Sequence, residues 1–177
     1  MDERDRLKAF EQMVLPHLDA AHNLARWLAG NDQDAQDVAQ EACLRAFKFF
    51  GGFRGDNPRA WLLAIVRNTF YSWLRKNRPA ETILELSDEA LEIADASVTV
   101  ETLHSRQGDA ASVRRAIAEL PVEFREVVVL REMEGLSYKE IADLAEVPIG
   151  TVMSRLARAR KLLQKQLSGE FKAGGSS

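Results

Sequence analysis

The sequence predicts an all-α protein with two small helical domains joined by an acidic, flexible linker. Apolar residues recur at helical spacing in both halves of the chain, and no segment shows the convincing alternation of a strand. Apolar residues make up 46% of the 177 residues, which is enough for buried cores. Residues 80–108 are acidic and short of aromatic residues. We therefore place the domains at 1–79 and 109–170, followed by a flexible tail at 171–177.

The N-terminal half is predicted to fold as a series of helices. The apolar periodicity indicates helices at about 5–29, restarted near Pro16, then at 34–50 and at 58–76. Asn57 and Pro58 begin the last of these, because Asn is a preferred N-cap and Pro suits the first turn. Pro79 ends it.

The helix at 34–50 has a polar and an apolar set of side chains. The polar set is Asp34, Asp37, Gln40, Glu41 and Arg45, and the set available for packing is Ala35, Val38, Ala42, Cys43 and Leu44. The polar set is either a binding surface or an ordinary solvated face, and the sequence leaves both open.

The next loop and helix have residues suited to melted nucleic acid. The loop contains Phe53, Arg54, Asp56 and Asn57 around a glycine, a mixture that can hold an unstacked base, although most such loops only connect helices. In the helix, a stripe of Trp61, Leu62, Ile65, Thr69, Phe70 and Trp73 is predicted to be core, and a second stripe contains Arg67, Tyr71, Arg75 and Arg78, with Asn68 beside it. Rings stack on bases while Arg binds phosphates. The alternative to base stacking by Tyr71 is that its ring packs in the core.

The C-terminal half ends in a predicted helix-turn-helix. Asp109 is expected to cap a helix reaching Leu120, and Pro121 to begin another that ends near Gly135. Ser137 and Glu140 have capping-box spacing, and Pro148 suits the first turn of a final helix. In this final helix the predicted buried stripe is Val152, Leu156, Ala159 and Leu163, and the residues opposite or flanking it are Thr151, Met153, Ser154, Ala157, Arg158 and Lys161.

Local charge favours nucleic acid as the ligand, although the net charge of the chain is −3. From Val147 to Ser168 the cations are Arg155, Arg158, Arg160, Lys161 and Lys165, and there is no acid. Residues 45–79 carry eight Lys or Arg against one acid, and residues 81–109 carry eight acids against one Arg. Phosphate binding follows this local field, so the final helix fits reading of a major groove, with a solvated surface helix as the alternative.

Other classes of protein find little support. Cys43, the single cysteine, cannot form an internal disulfide or, with the three His, a metal site. The sequence has no Gly-rich phosphate loop and no convincing nucleophile–base pair, so we expect no enzyme, cofactor or metal. Without a signal peptide or an apolar run near the ~20 residues of a membrane span, we expect a cytoplasmic protein without membrane contact of its own.

Three segments together resemble the extracytoplasmic-function (ECF) sigma factors, the short two-domain class of bacterial RNA polymerase specificity subunits. The segments are DAQDVAQEACLRAF, FRGDNPRAWLLAIVRNTFYSWLR and LPVEFREVVVLREMEGLSYKEIADLAEVPIGTVMSRLARARKLL. The resemblance implies an initiation factor that binds core RNA polymerase and promoter DNA. It also implies a partner anti-sigma factor, through which the protein can be tethered to a membrane.

The resemblance implies roles for individual residues. Docking on the clamp helices of the largest polymerase subunit would involve Asp34, Asp37, Gln40, Glu41 and Arg45, and residues 120–134 would face the polymerase flap. Recognition and melting of the −10 element would involve Phe53, Arg54, Asp56, Asn57, Arg67, Asn68, Tyr71 and Arg75. The −35 element would be contacted by Pro148, Thr151, Met153, Ser154, Arg155, Arg158 and Lys161, with Ser154 and Arg158 nearest base edges.

Met153 departs from the family pattern, because many members carry Arg at this position. A bidentate Arg–guanine contact is worth ~1–3 kcal/mol of discrimination, so the −35 sequence cannot be transferred from relatives. The alternative function is a helix-turn-helix regulator that acts without polymerase binding and recognises symmetric half-sites. The basic, aromatic helix at 58–78 argues against it, since a dimerisation or ligand-sensing module needs no such face.

Overall fold

The computed structural model describes residues 2–78 and 110–175, with side chains described as far as Ser168. Contacts divide the chain into two compact units, Met1–Thr82 and Ile83–Ser177. All regular elements in the described ranges are helical, which confirms the predicted fold class. The predicted linker at 80–108 and the predicted cap Asp109 lie outside the described residues. Within the described ranges, no helix has the length and apolar content needed to span a bilayer.

The described residues of the N-terminal unit, 2–78, form four α-helices. They are α1 (Glu3–Met13), α2 (Leu18–Ala29), α3 (Asp32–Phe49) and α4 (Pro58–Asn77). A 3₁₀ turn at Leu15–His17 separates α1 from α2, as the predicted restart near Pro16 requires. A second 3₁₀ turn, Phe50–Gly52, follows α3.

Side-chain caps explain where α3 and α4 begin. The Asn57 side chain accepts a hydrogen bond from the Ala60 amide at 3.0 Å, which confirms the predicted cap of α4. The Asn31 side chain accepts one from the Asp34 amide at 2.9 Å. Because Asn31 is the cap, α3 begins at Asp32, two residues earlier than predicted.

The core of the N-terminal unit lies where α2, α3 and α4 pack on one another. The prediction for α4 was partly wrong: Leu62, Thr69 and Phe70 are buried, whereas Trp61, Ile65 and Trp73 are only half-buried. The helix also buries Leu63, Val66, Tyr71 and Leu74. Its buried surface is wider than one stripe because α4 contacts α2 on one side and α3 on another.

The packing face of α3 consists of small residues. Ala35, Val38, Ala42 and Ala46 are buried, at the spacing that places them on one side of a helix. Leu44 was predicted to be available for packing but is 67% exposed, because it lies away from this face. Cys43 is half-buried, and this burial raises the pKa of its thiol.

The C-terminal unit is organised around one long helix. Its elements are α5 (Ala110–Ala118), α6 (Val122–Val128), a π-helical turn (Val129–Met133), α7 (Tyr138–Ala145) and α8 (Ile149–Gly175). Helices α5, α6 and α7 all pack against α8. The α6 segment is anchored in the core by the buried residues Phe124, Val127, Val128 and Leu130. Gly135, after this segment, has a left-handed φ of 68°.

Helices α7 and α8 form the predicted helix-turn-helix. The Ser137 hydroxyl accepts from the Glu140 amide at 3.0 Å, and the Glu140 carboxylate accepts from the Ser137 amide at 2.9 Å, which confirms the capping box. Helix α7 ends at Ala145, and its C-cap Glu146 has a left-handed φ of 57°. The Pro148 carbonyl accepts from the Thr151 amide at 2.9 Å, so Pro148 precedes α8 as its cap and not in the first turn.

The predicted buried stripe of α8 is correct, but the buried surface is wider. Val152, Leu156, Ala159 and Leu163 are all buried. Ala157 was predicted to lie on the polar side and is also buried, because α8 is covered from three directions by α5, α6 and α7.

Candidate nucleic-acid interface

The exposed surface of α8 carries polar and cationic side chains near its N-terminal end. Lys161 and Lys165 are exposed, and Thr151, Ser154, Arg155 and Arg158 are partly exposed. No Asp or Glu occurs between Val147 and Ser168. This surface therefore presents cations and hydrogen-bonding groups together, which suits a phosphate-lined groove.

Arg160 does not belong to this surface, although the sequence counts it among the cations of the helix. The Arg160 side chain is 8% exposed, and its Nη2 lies 3.3 Å from Oε1 of Glu132. The partly exposed Glu132 carboxylate compensates the guanidinium of Arg160, since a buried charge needs a partner of opposite sign. Arg160 thus joins α8 to the segment after α6.

Arg155 and Arg158 lie along the protein surface and do not extend freely into solvent. The Arg158 guanidinium carbon lies 5.8 Å from the centroid of the Phe124 ring. The Arg155 Nε is buried and has no hydrogen-bond partner within the described part of the chain. The contact with Phe124 restricts Arg158, and the burial of its Nε restricts Arg155, so both stems pack on the protein.

Two arginines that the sequence analysis did not single out hold the framework under α8. Arg131 donates to the Leu136 carbonyl at 3.0 Å and lies over the Tyr138 ring at 4.6 Å, so it fixes the turn into α7. Arg125 donates to the Ala118 and Leu120 carbonyls at 2.9 and 3.0 Å, which satisfies the end of α5. No sequence signal distinguishes them from surface cations.

The cationic face of α4 differs from its prediction at Tyr71. Asn68 and Arg75 are exposed and Arg67 is half-buried. Tyr71, however, is 6% exposed, and the Arg67 guanidinium covers its ring at 4.6 Å. The ring therefore belongs to the core, the alternative that the sequence left open, and supports Arg67 from below by a cation–π contact.

The loop before α4 is anchored by an aromatic cluster. The Phe53 ring lies 5.0 Å from Trp61 and 6.2 Å from Phe50. A Cβ at Gly55 would come within 3.3 Å of the Phe53 ring, so glycine allows the loop to fold closely over it. Arg54, Asp56 and Asn57 are exposed at the rim.

The polar side of α3 forms a second candidate surface. Asp37, Gln40 and Glu41 are exposed, and Arg45 pairs with Glu41 at 3.2 Å. The exposed Leu44 adds an apolar side chain to this helix, which the sequence pattern had assigned to packing. The exposed surface of α3 therefore combines two carboxylates, one amide and one apolar side chain.

Asp34 lies apart from that row in an internal cluster. Its Oδ2 accepts from Arg78 Nη2 at 2.9 Å and from Asn31 Nδ2 at 2.7 Å. The pair joins the start of α3 to the end of α4, so Asp34 has a structural role independent of any external ligand. Among the described residues, no three His, Cys, Asp or Glu side chains cluster as a metal site would require.

Two sequence families match the two units. Sigma-70 region 2 matches residues 13–80 and sigma-70 region 4 matches residues 110–163. The chain is 35% identical to the RNA polymerase sigma-H factor of Pseudomonas aeruginosa over 174 residues, covering 93% of this chain and 89% of the relative. It is 38% identical to the ECF RNA polymerase sigma factor SigM of Mycobacterium tuberculosis over 160 residues, covering 90% and 77%.

A solved structure resembles the whole chain. It is the sigma factor RpoE in complex with the anti-sigma factor NepR, from Bartonella quintana. The TM-score is 0.69 at 30% sequence identity, and the match covers 91% of this chain and 98% of the other.

Proposed function

Because this chain belongs to the extracytoplasmic-function (ECF) group of the sigma-70 family, we propose that it directs core RNA polymerase to promoters by contacting both the polymerase and the DNA. The chain is an alternative sigma factor, and members of this family initiate transcription without catalysing a reaction themselves. The observation that carries the proposal furthest is the cationic surface of α8, without an acid between Val147 and Ser168, within a unit that matches sigma-70 region 4.

The α8 surface is proposed to contact the −35 element as duplex DNA. Ser154 and Arg158 approach base edges, and Thr151, Arg155 and Lys161 contact phosphates, while Pro148 and Met153 flank them. The packing of Arg158 on Phe124 supports this role, because a restricted guanidinium loses less entropy when it binds.

The face of α4 and the preceding loop are proposed to recognise and melt the −10 element. Exposed Arg54, Asp56 and Asn57 can hydrogen-bond a flipped base beside the half-buried Phe53. Arg67, Asn68 and Arg75 would bind the adjacent backbone. Tyr71 is assigned a supporting role under Arg67, since its ring lies in the core.

Helix α3 is proposed to bind the clamp helices of the largest polymerase subunit. Asp37, Gln40 and Glu41 offer acceptors and donors at the surface, and Arg45 orients Glu41 through their ion pair. Asp34 would act mainly by holding the start of α3 against Arg78. In the C-terminal unit, residues 120–134 are proposed to face the polymerase flap.

Regulation by an anti-sigma factor is part of the proposal. The resembling RpoE structure contains such a partner, NepR, which supports an equivalent partner here. The partner would cover the surfaces of α3, α4 and α8, and would provide any tether to a membrane for a protein proposed to act in the cytoplasm.

Run-off transcription tests the proposed function. Core polymerase is supplied with a pool of promoter fragments, with and without this protein. Discrete new start sites are expected, and alignment of their upstream sequences gives both promoter elements. Tight duplex binding by the protein alone, to symmetric half-sites and without new start sites, would instead identify the alternative, a regulator independent of polymerase.

Two variants separate the proposed roles. Arg158→Ala is expected to lower promoter-specific initiation roughly tenfold and to leave polymerase affinity unchanged, because it removes a proposed base contact and no proposed polymerase contact. Asp37→Lys with Glu41→Lys is expected to abolish polymerase binding without unfolding the protein. Matched controls are Arg114→Ala, and Glu11→Lys with Asp19→Lys, which alter exposed residues elsewhere in the same units. Equal loss of both activities in Arg158→Ala would contradict the assignment.

A further inference from the structure

Two apolar side chains are exposed at the N-terminal end of α8. Ile149 is 49% exposed and Met153 is 52% exposed. They are four residues apart, so they lie near each other on one side of the helix. The core stripe of α8 is already formed by buried residues such as Val152 and Leu156, so this pair is not part of the core.

The surroundings of the pair favour duplex DNA as the ligand. No acid lies between Val147 and Ser168, and the exposed or partly exposed cations of α8 begin at Arg155, two residues after Met153. Gly150, between Ile149 and Thr151, has open space around its Cβ position, so no side chain there keeps the helix end away from a groove. The first turns of such a helix are the ones that approach base edges.

The chemistry of the pair points to one feature of the bases. The alkyl side chain of Ile149 and the thioether side chain of Met153 have no hydrogen-bond donor, and only the thioether sulfur is a weak acceptor. In the major groove the apolar group is the 5-methyl of thymine, whereas the other edges present donors and acceptors. Met is flexible enough to follow a methyl group whose position varies slightly between steps.

We propose that Ile149 and Met153 select thymine in the −35 element by packing against thymine 5-methyl groups. The inference rests on the proposed role of α8 as the −35 reader and adds a specificity that this chain's own residues determine. The proposal predicts at least one preferred thymine in the −35 element. This thymine is expected at the position where an Arg, in place of Met153, would select guanine.

Replacement of thymine by deoxyuridine tests the proposal, because it removes the methyl group and keeps every hydrogen-bonding edge. A promoter is first obtained by transcription with polymerase and the full chain. Each thymine of its −35 element, on either strand, is then replaced in turn, and the affinity of polymerase plus the full chain is measured by competition. We expect one or two positions at which deoxyuridine weakens binding about fourfold, the effect of removing one buried methyl group.

Alanine variants test whether the preference for thymine over deoxyuridine depends on Ile149 and Met153. Met153→Ala and Ile149→Ala should each reduce the thymine-over-deoxyuridine preference at one position toward unity. Met13→Ala, which alters an exposed methionine of α1, should keep the preference. Both Met153 and Ile149 are half exposed, so their replacement should leave the helical circular dichroism signal unchanged.

The outcomes distinguish this inference from the proposed function. New start sites together with a wild-type protein indifferent to deoxyuridine would overturn the inference alone and leave the apolar pair for contact with a protein partner. A preference that survives in both alanine variants would also overturn it. Absence of discrete start sites would remove the proposed function itself.

Discussion

The ion pair between Glu132 and Arg160 offers a stringent test of how the C-terminal unit is held together. Oε1 of Glu132 lies 3.3 Å from Nη2 of Arg160, and the side chains are 21% and 8% exposed, respectively. The Arg160 Nε is buried without a hydrogen-bond partner in the described residues, so the guanidinium depends strongly on Glu132. Glu132→Ala leaves this charge uncompensated beneath α8.

The expected cost follows from the burial of the pair. Removing one partner of a fully buried pair costs about 3–5 kcal/mol. Glu132 is partly accessible and the contact is rather long, so we expect about 2–3 kcal/mol for Glu132→Ala. Glu132→Gln keeps an acceptor and should cost about 1 kcal/mol. Glu132→Leu with Arg160→Met removes both charges and should be close to neutral.

The distribution of tryptophan allows each unit to be followed separately. Trp27, Trp61 and Trp73 are the three tryptophans, and all belong to the N-terminal unit. In urea, tryptophan fluorescence therefore reports the N-terminal unit, while far-ultraviolet circular dichroism reports both. A loss of about 2 kcal/mol should move the C-terminal transition to lower urea by roughly 1–2 M, since small domains have m-values near 1–3 kcal/mol/M.

The effect of Glu132→Ala on stability is compared with that of a control variant in the same unit. Asp143→Ala removes an exposed carboxylate from α7 in the same unit and should change stability by less than about 0.5 kcal/mol. If Glu132→Ala is no more destabilising than Asp143→Ala, or if the double substitution costs more than Glu132→Ala, the pair does not stabilise the unit as reasoned.

Three further outcomes are expected. Glu146→Gly should stabilise the C-terminal unit by about 1 kcal/mol in the same circular dichroism experiment, because glycine adopts the left-handed φ of 57° without strain; a loss of stability would contradict this. Arg78→Met should lower the stability of the N-terminal unit by up to about 1 kcal/mol and shift the emission of Trp73, over which the guanidinium lies at 5.2 Å. An unchanged spectrum would argue against the contact with Trp73, and unchanged stability would argue against the Asp34 pair. Burial raises the pKa of the Cys43 thiol, so its alkylation rate by iodoacetamide should keep rising at pH values where the rate of an unfolded control has levelled; parallel profiles would refute the assigned burial.

Helix ends and helix faces could be predicted where neighbours in sequence supply the interactions. The capping box of Ser137 and Glu140 and the Asn57 cap involve groups three residues apart, so a short stretch of sequence contains both partners. The stripe from Val152 to Leu163 follows from helical periodicity alone. The all-helical organisation in two units could therefore be predicted from such local patterns of sequence.

Contacts between distant residues decided what the sequence pattern could not. Arg160 and Lys161 are adjacent cations, yet Arg160 is buried and Lys161 exposed, because Glu132 lies 28 residues earlier on a helix that packs against α8. The sequence is equally unable to decide whether Tyr71 lies in the core or on the cationic face of α4.

What the sequence by itself determined is therefore the set of helices, the ends of several of them and the type of residue available for DNA and polymerase. Only the tertiary structure decided which of those side chains remain accessible. It placed Tyr71 and Arg160 in the core and left Leu44, Ile149 and Met153 at the surface. The physical reason is that caps and periodicity depend on neighbours within one or two turns, whereas burial depends on which helix packs above each residue.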